Sequence, residues 1–165
     1  MATAAAITAY SRIHMSQFKN NPNINLYYSD TDSIYTDSDL DKSLIDNKIL
    51  GKLKLEYVCN KAIFLSPKVY CLLTDSNEFI FKVKGLSHDV KLSFSDFKNL
   101  LIKDSFIEKA HEKLFRKLSE AKITLLEQLY TLKVTDSKRE LIYNKNNKLI
   151  ATKAYKINKS KDIRK

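Results

Sequence analysis

The stretch YYSDTDSIYT, Tyr27 to Thr36, constrains this chain more than any other, because it sets two aspartates one residue apart between runs of aromatic and β-branched side chains. The flanking runs predict two short strands, Asn25–Ser29 and Ser33–Thr36, joined through DTDS as a hairpin with an acidic tip. Side chains two apart on a strand share a face, so Asp30 and Asp32 converge if extended geometry continues through the tip. Carboxylates at one point repel unless they are protonated or bridged by a cation. A hard divalent ion with oxygen ligands, Mg2+ or Mn2+, answers that repulsion, and Mg2+ is commonly held by one or two carboxylates plus substrate phosphates. A plain polar turn competes with this reading, since Asp, Ser and Thr all favour turns, and spacing alone leaves both open. Calcium is a weaker rival. Asp37, Asp39 and Asp41 begin like an EF-hand loop, but Lys42 stands where that loop needs Gly and Lys48 where it needs Glu.

The rest of the composition says what such a cation would work beside. The 165 residues carry a net charge of +10, so a polyanionic partner is expected, nucleic acid or anionic lipid. Cys59 and Cys71 have neither CxxC spacing nor a nearby His pair, which makes core filling the better reading than zinc. No run approaches the roughly 20 apolar residues that cross a bilayer, and no membrane partner is expected. The start, MATAAAITAYSRIHMSQFKNN, has the Ala/Ser/Thr bias of a mitochondrial transit peptide but one arginine. Ile7, Tyr10, His14 and Phe18 recur along one helical face, so a folded helix is preferred and no cleavable targeting peptide is expected.

The helix should end at the Asn20–Asn23 cluster, where Pro22 disfavours helix at the residue before it. Residues 37–47 read as an exposed loop, and LGKLKLEYV, AIFLSPKVYCLLT and EFIFKVKG as an antiparallel meander in which Pro67 marks a strand start or edge. From Ser93 the period changes. Phe94, Phe97 and Leu101, then Phe106, Ala110, Leu114 and Leu118, recur at helical spacing, with Ser93 or Ser95 capping a first helix and Asp104 a second. RELIYNKNNKLIATKAYKI reads as a hairpin turning at Asn144–Lys148, and the tail after it as frayed. From Lys133 to Lys165 eleven Lys or Arg face three acids, which suits either a solvated face or a phosphate backbone. A soft boundary falls at Gly85–Leu92.

YSDTDS, followed by IY, resembles motif C of the B-family DNA polymerases, YxDTDS. SPKVY, with Lys68 and Tyr70, resembles that family's KxY motif, and GKLKLEYVCNKAIFL before it and FIFKVKGLSHDVKLSFSDFKNLL after it are similar to the protein-primed branch. ITAYSRIHM is similar to the palm helix that precedes motif C. These landmarks stand in family order over roughly the first hundred residues, a strong match, and resemble most the polymerases of fungal mitochondrial linear plasmids. Beyond about Lys103 the chain matches by position only.

The resemblance implies a C-terminal polymerase fragment of α+β class: an incomplete antiparallel palm sheet carrying the acidic hairpin (residues 1–90), then a mainly helical basic thumb that closes with a β-hairpin (91–165). It implies that Asp32 ligates both of two Mg2+ or Mn2+ ions, that Asp30 supports it, and that Tyr28 and Ser33 shape the hairpin, with Thr31 between the two acids. Lys68 and Tyr70 would steady the primer terminus; read without the family, they are a strand alternation with both side chains on one face. The implied partners are a DNA primer-template, deoxynucleoside triphosphates, a terminal protein and an upstream polymerase portion on a separate chain, and the implied location is the mitochondrion. The motif A aspartate (DxxSLYP-like) and motif B (Kx3NSxYG) have no counterpart here, so the chain alone is expected not to polymerise. A non-catalytic DNA-binding remnant is the alternative.

Overall fold

In the computed structural model, residues 2–87, 89–135 and 139–153 are described. The chain divides into two compact units, Met1–Asn60 with Thr74–Ser76, and Lys61–Leu73 with Asn77–Lys165. The class is α+β, with small antiparallel sheets and few helices.

The first unit begins with α1 (Ala2–Lys19), the expected helix. Its apolar stripe is only partly used, since Met15 and Phe18 are buried while Ile7, Tyr10 and His14 are exposed. The helix ends at the asparagine cluster, where the Asn20 and Asn21 amides donate to the Ser16 and Phe18 carbonyls and the Asn23 amide turns onto Asn21 Oδ1. Strands β1 (Leu26–Asp30) and β2 (Ser33–Thr36) then form the acidic hairpin. The segment after it is loop apart from a short 3-10 turn, Lys42–Leu44, capped by Asp41.

The expected meander is shorter and cut differently. Strands β3 (Cys59–Ser66), β4 (Val69–Thr74) and β5 (Phe79–Val83) form one three-stranded sheet in that order. LGKLKLEYV contributes no strand, only an isolated bridge between Ile45 and Leu53. AIFLSPKVYCLLT is two strands rather than one, because Pro67 fixes its own φ and Lys68 adopts a left-handed φ of 63°, the pattern of a tight turn.

The second unit is built on an apolar cluster of Ile63, Leu65, Val69, Cys71, Leu92, Phe97, Leu100 and Leu132, with Phe79 and Phe81 packed against it. Burial pushes the Cys71 thiol up to about 12, so it stays protonated as a core filler. Helix α2 (Phe94–Asn99) starts at a capping box in which Ser93 Oγ accepts from the Asp96 amide and Asp96 Oδ2 from the Ser93 amide at 2.7 Å.

There the expected helical run stops. In place of a second helix from Asp104, strands β6 (Phe106–Lys117) and β7 (Lys122–Lys133) make one long hairpin, and Asp104 takes a left-handed φ of 64° ahead of it. Among the described residues, the half from residue 91 onward is therefore mainly β, not mainly helical. Phe106, Ala110, Leu114 and Leu118 recur every four residues, and four is both about one helical turn and an even number of strand steps, so the spacing fits either element. The β-rich partner ITLLEQLYTL decides for the sheet. Ala121, at φ 47°, closes the turn. Tyr130 ties the hairpin base to the unit: its hydroxyl donates to the Lys84 carbonyl at 2.7 Å, and its ring passes 3.5 Å from where a Cβ on Gly85 would stand.

Strands β8 (Glu140–Tyr143) and β9 (Leu149–Lys153) form the expected last hairpin, turned on Asn144, whose Oδ1 accepts from the amides of Asn146 and Lys148. Backbone bonds from Lys103 to Asn147 and from Leu149 to Leu101, 2.7 Å each, dock it beside the end of α2. The tail from residue 154 lies outside the described residues.

Candidate functional site

The acidic hairpin is a two-residue turn. Asp30 pairs with Ser33, leaving Thr31 and Asp32 as the central residues. Thr31 has φ 48°, and among the described residues with positive φ Asp32 does not appear, so the first central position alone is left-handed. Short polar bonds set the tip: Thr31 Oγ1 donates to Asp30 Oδ1 at 3.2 Å, and Ser33 Oγ donates to the Asp30 carbonyl at 3.0 Å. Behind it, Tyr28 and Tyr35 face each other across the strands edge to face, 5.7 Å between ring centres. Tyr27 points elsewhere, its hydroxyl donating to Asp37 Oδ2 at 2.7 Å. That bond raises the Tyr27 hydroxyl above its ordinary value and, with the Asn25 side chain, lowers the Asp37 carboxyl.

Asp30 is half-buried and Asp32 exposed, so the second carboxylate faces solvent. A cation does stand at the tip. Lys19, the last residue of α1, donates from Nζ to the Thr31 carbonyl at 3.1 Å. The left-handed Thr31 breaks the extended geometry that would have carried Asp30 and Asp32 onto one strand face, so their nearness rests on the turn alone; one or two carboxylates is the share that Mg2+ usually takes from protein. Among the described residues no group of three or more His, Cys, Asp or Glu is arranged to hold a metal. A divalent ion at this turn would need ligands beyond these two carboxylates.

Lys68 and Tyr70 lie in the second unit. Lys68 occupies the β3–β4 turn rather than a strand, and its carbonyl accepts the Lys84 amide at 3.0 Å. Tyr70 sits in β4 opposite Lys82, half-buried against the Phe64 ring at 5.9 Å. The simple strand alternation of Lys68 with Tyr70 is thus replaced by a turn residue and a strand residue.

The long hairpin adds residues that the sequence alone did not single out. Residues directly opposite in an antiparallel pair share a face, so its register places Lys109, Lys113, Lys117 and Lys122 together with Phe115 on one face, the face whose base buries His111 and Leu132; neither strand adds a carboxylate to it, and Lys117 Nζ pairs with Glu120 of the connecting turn. Lys113 Nζ lies 5.9 Å from the Phe115 ring centre. The opposite face carries Glu108, Glu112 and Glu127 with Arg116 and Lys133, among Ala110, Leu114, Ile123, Leu125 and Leu129. The readable signal was the four-residue lysine step, which a strand turns into a single row.

A protein of Ascobolus immersus named "Probable DNA polymerase" is 38% identical over 164 residues, covering 97% of this chain and 14% of its own length. Proteins of the same name from Neurospora intermedia and Podospora anserina are 44% and 34% identical, covering 74% and 91% of this chain and 13% of each relative. The chain is DNA-polymerase-related. It spans about a seventh of those relatives, 13–14% of their length. No protein-family model and no solved structure matches it.

Proposed function

We propose that this DNA-polymerase-related chain is the late-palm and thumb portion of a protein-primed B-family DNA polymerase, with residues 1–90 palm-like and 91–165 thumb-like. The complete polymerase would add deoxynucleotides to a primer on a DNA template. The observation that carries the reading is the YSDTDS turn itself, which sets Asp30 and Asp32 on either side of a left-handed Thr31.

In this reading Asp32, the exposed carboxylate, is the direct ligand of two Mg2+ or Mn2+ ions, and Asp30 is the supporting one. When bound, such ions make the primer 3′-hydroxyl more acidic and offset charge on the triphosphate. The chain's own residues position. Lys68 and Tyr70 steady the primer terminus, and the lysine row of the long hairpin lies along duplex phosphates, a contact that carries no sequence information. A terminal protein, the remaining polymerase portion and a mitochondrial location belong to the same proposal.

A second reading, a DNA-binding remnant without catalysis, is favoured by the lysine row of the long hairpin, which would hold duplex phosphates without taking part in any chemistry. A primer-extension assay with Mg2+ or Mn2+ separates the outcomes. The chain alone is expected to give no extension. Template-dependent products that disappear in Asp32→Ala would overturn that expectation. The two readings part when the remaining portion is added: extension that requires Asp32 supports the polymerase, and DNA binding without extension supports the remnant.

A further inference from the structure

Thr31 is an unusual occupant of its position. A β-branched residue with φ of 48° is a backbone outlier, and such a conformation persists only when neighbouring contacts over-determine it. Two of the contacts are local, from Thr31 Oγ1 to Asp30 and from Ser33 Oγ to Asp30. The third comes from twelve residues away, the Lys19 ammonium on the Thr31 carbonyl.

That carbonyl belongs to the peptide group that also contains the Asp32 amide. Because the group is planar, fixing the oxygen fixes the plane from which Asp32 departs. Lys19 can supply a fixed point because it ends α1 just after the buried Phe18, and the next amide, Asn20, still bonds back to Ser16 at 2.9 Å. We propose that Lys19 is a positioning residue for the acidic tip: it holds the Thr31 peptide so that Asp32 is presented in one direction to a divalent cation. The inference rests on reading Asp30 and Asp32 as metal ligands, and its test separates the two.

Charge and position predict opposite signs. An ammonium next to carboxylates repels an incoming cation, so if charge were all that mattered, removing Lys19 would tighten metal binding. If Lys19 positions the tip, removing it weakens binding although a positive charge has gone. The full chain, labelled with 15N, is titrated with Mn2+ while the amide signals of residues 30–33 are followed for paramagnetic broadening. Lys19→Met is expected to weaken the Mn2+ response about threefold or more and to shift the Thr31 HN–Hα coupling. Lys19→Arg, which keeps a donor, is expected to restore both. In a Thr31→Gly background, where a left-handed φ carries no steric penalty, Lys19→Met should have little further effect on either readout.

An unchanged Thr31 coupling in Lys19→Met, or a tighter Mn2+ response, would overturn the inference. Absence of broadening in the parent chain, or broadening that survives Asp32→Ala, would instead sink the metal reading. The Thr31 coupling would still decide whether Lys19 holds the tip.

Discussion

Among the described residues the first unit has two buried apolar side chains, Met15 and Phe18, at 3% and 2% exposure, whereas the second gathers eight into one cluster around a fully buried Phe97. The two candidate functional surfaces are held accordingly. The acidic turn is shaped by single polar bonds to Lys19, Thr31 and Ser33, and the loop beside it by Tyr27 on Asp37. The long hairpin is rooted instead through Ile107, Tyr130 and Leu132 in or against an apolar cluster, and its outer part extends with both faces exposed. A polar clamp fixes direction and costs little to open, while an apolar root fixes attachment and is costly to lose.

The sharpest way to break this contrast is at Phe97. Phe97→Ala should destabilise the second unit by about 3–5 kcal/mol, the range for deleting a buried aromatic. Chemical denaturation followed by tyrosine and cysteine probes should place the loss there and leave the Tyr27–Asp37 contact of the first unit formed under native conditions. Equal loss of that contact would mean that the two units fold as one.

A smaller effect compares the faces of the long hairpin. Lys113→Glu with Lys117→Glu should weaken duplex binding and lower the slope of log affinity against log salt by about two, one for each phosphate contact removed. Glu112→Gln on the opposite face should leave the slope unchanged. If both changes act alike, the lysine row is not the DNA-facing side.

The smallest effect is a titration. Asp37 is held below the ordinary carboxylate value first by the Tyr27 hydroxyl and then by the Asn25 side chain. A depressed pKa means that the contact contributes above the unfolded value and is lost as pH falls through the folded one. Tyr27 ring signals should therefore move with a midpoint below about 3.9, the ordinary aspartate value. A midpoint at or above it would remove the polar clamp from the account of the first unit.

The parts of the fold that could be read directly are those whose causes are local. α1 and its stop at the asparagines, the acidic hairpin, the Ser93 cap of α2 and the Asn144 turn each follow from side chains bonding to backbone within a few residues. The candidate acids were legible for the same reason, since two residues across a tight turn are neighbours whatever surrounds them. Polymerase relatedness was legible too, as an ordered set of motifs.

What stayed hidden depends on partners distant in sequence. Apolar residues at steps of four fit a helix or a strand, and β6 became a strand because β7 offered it twelve opposed residues, Phe106↔Lys133 through Lys117↔Lys122. The lysine row exists only in that register. The bond from Lys19 to Thr31 likewise requires a helix end and a turn to meet, and a backbone carbonyl leaves no mark in an amino-acid sequence to announce which cation it will accept.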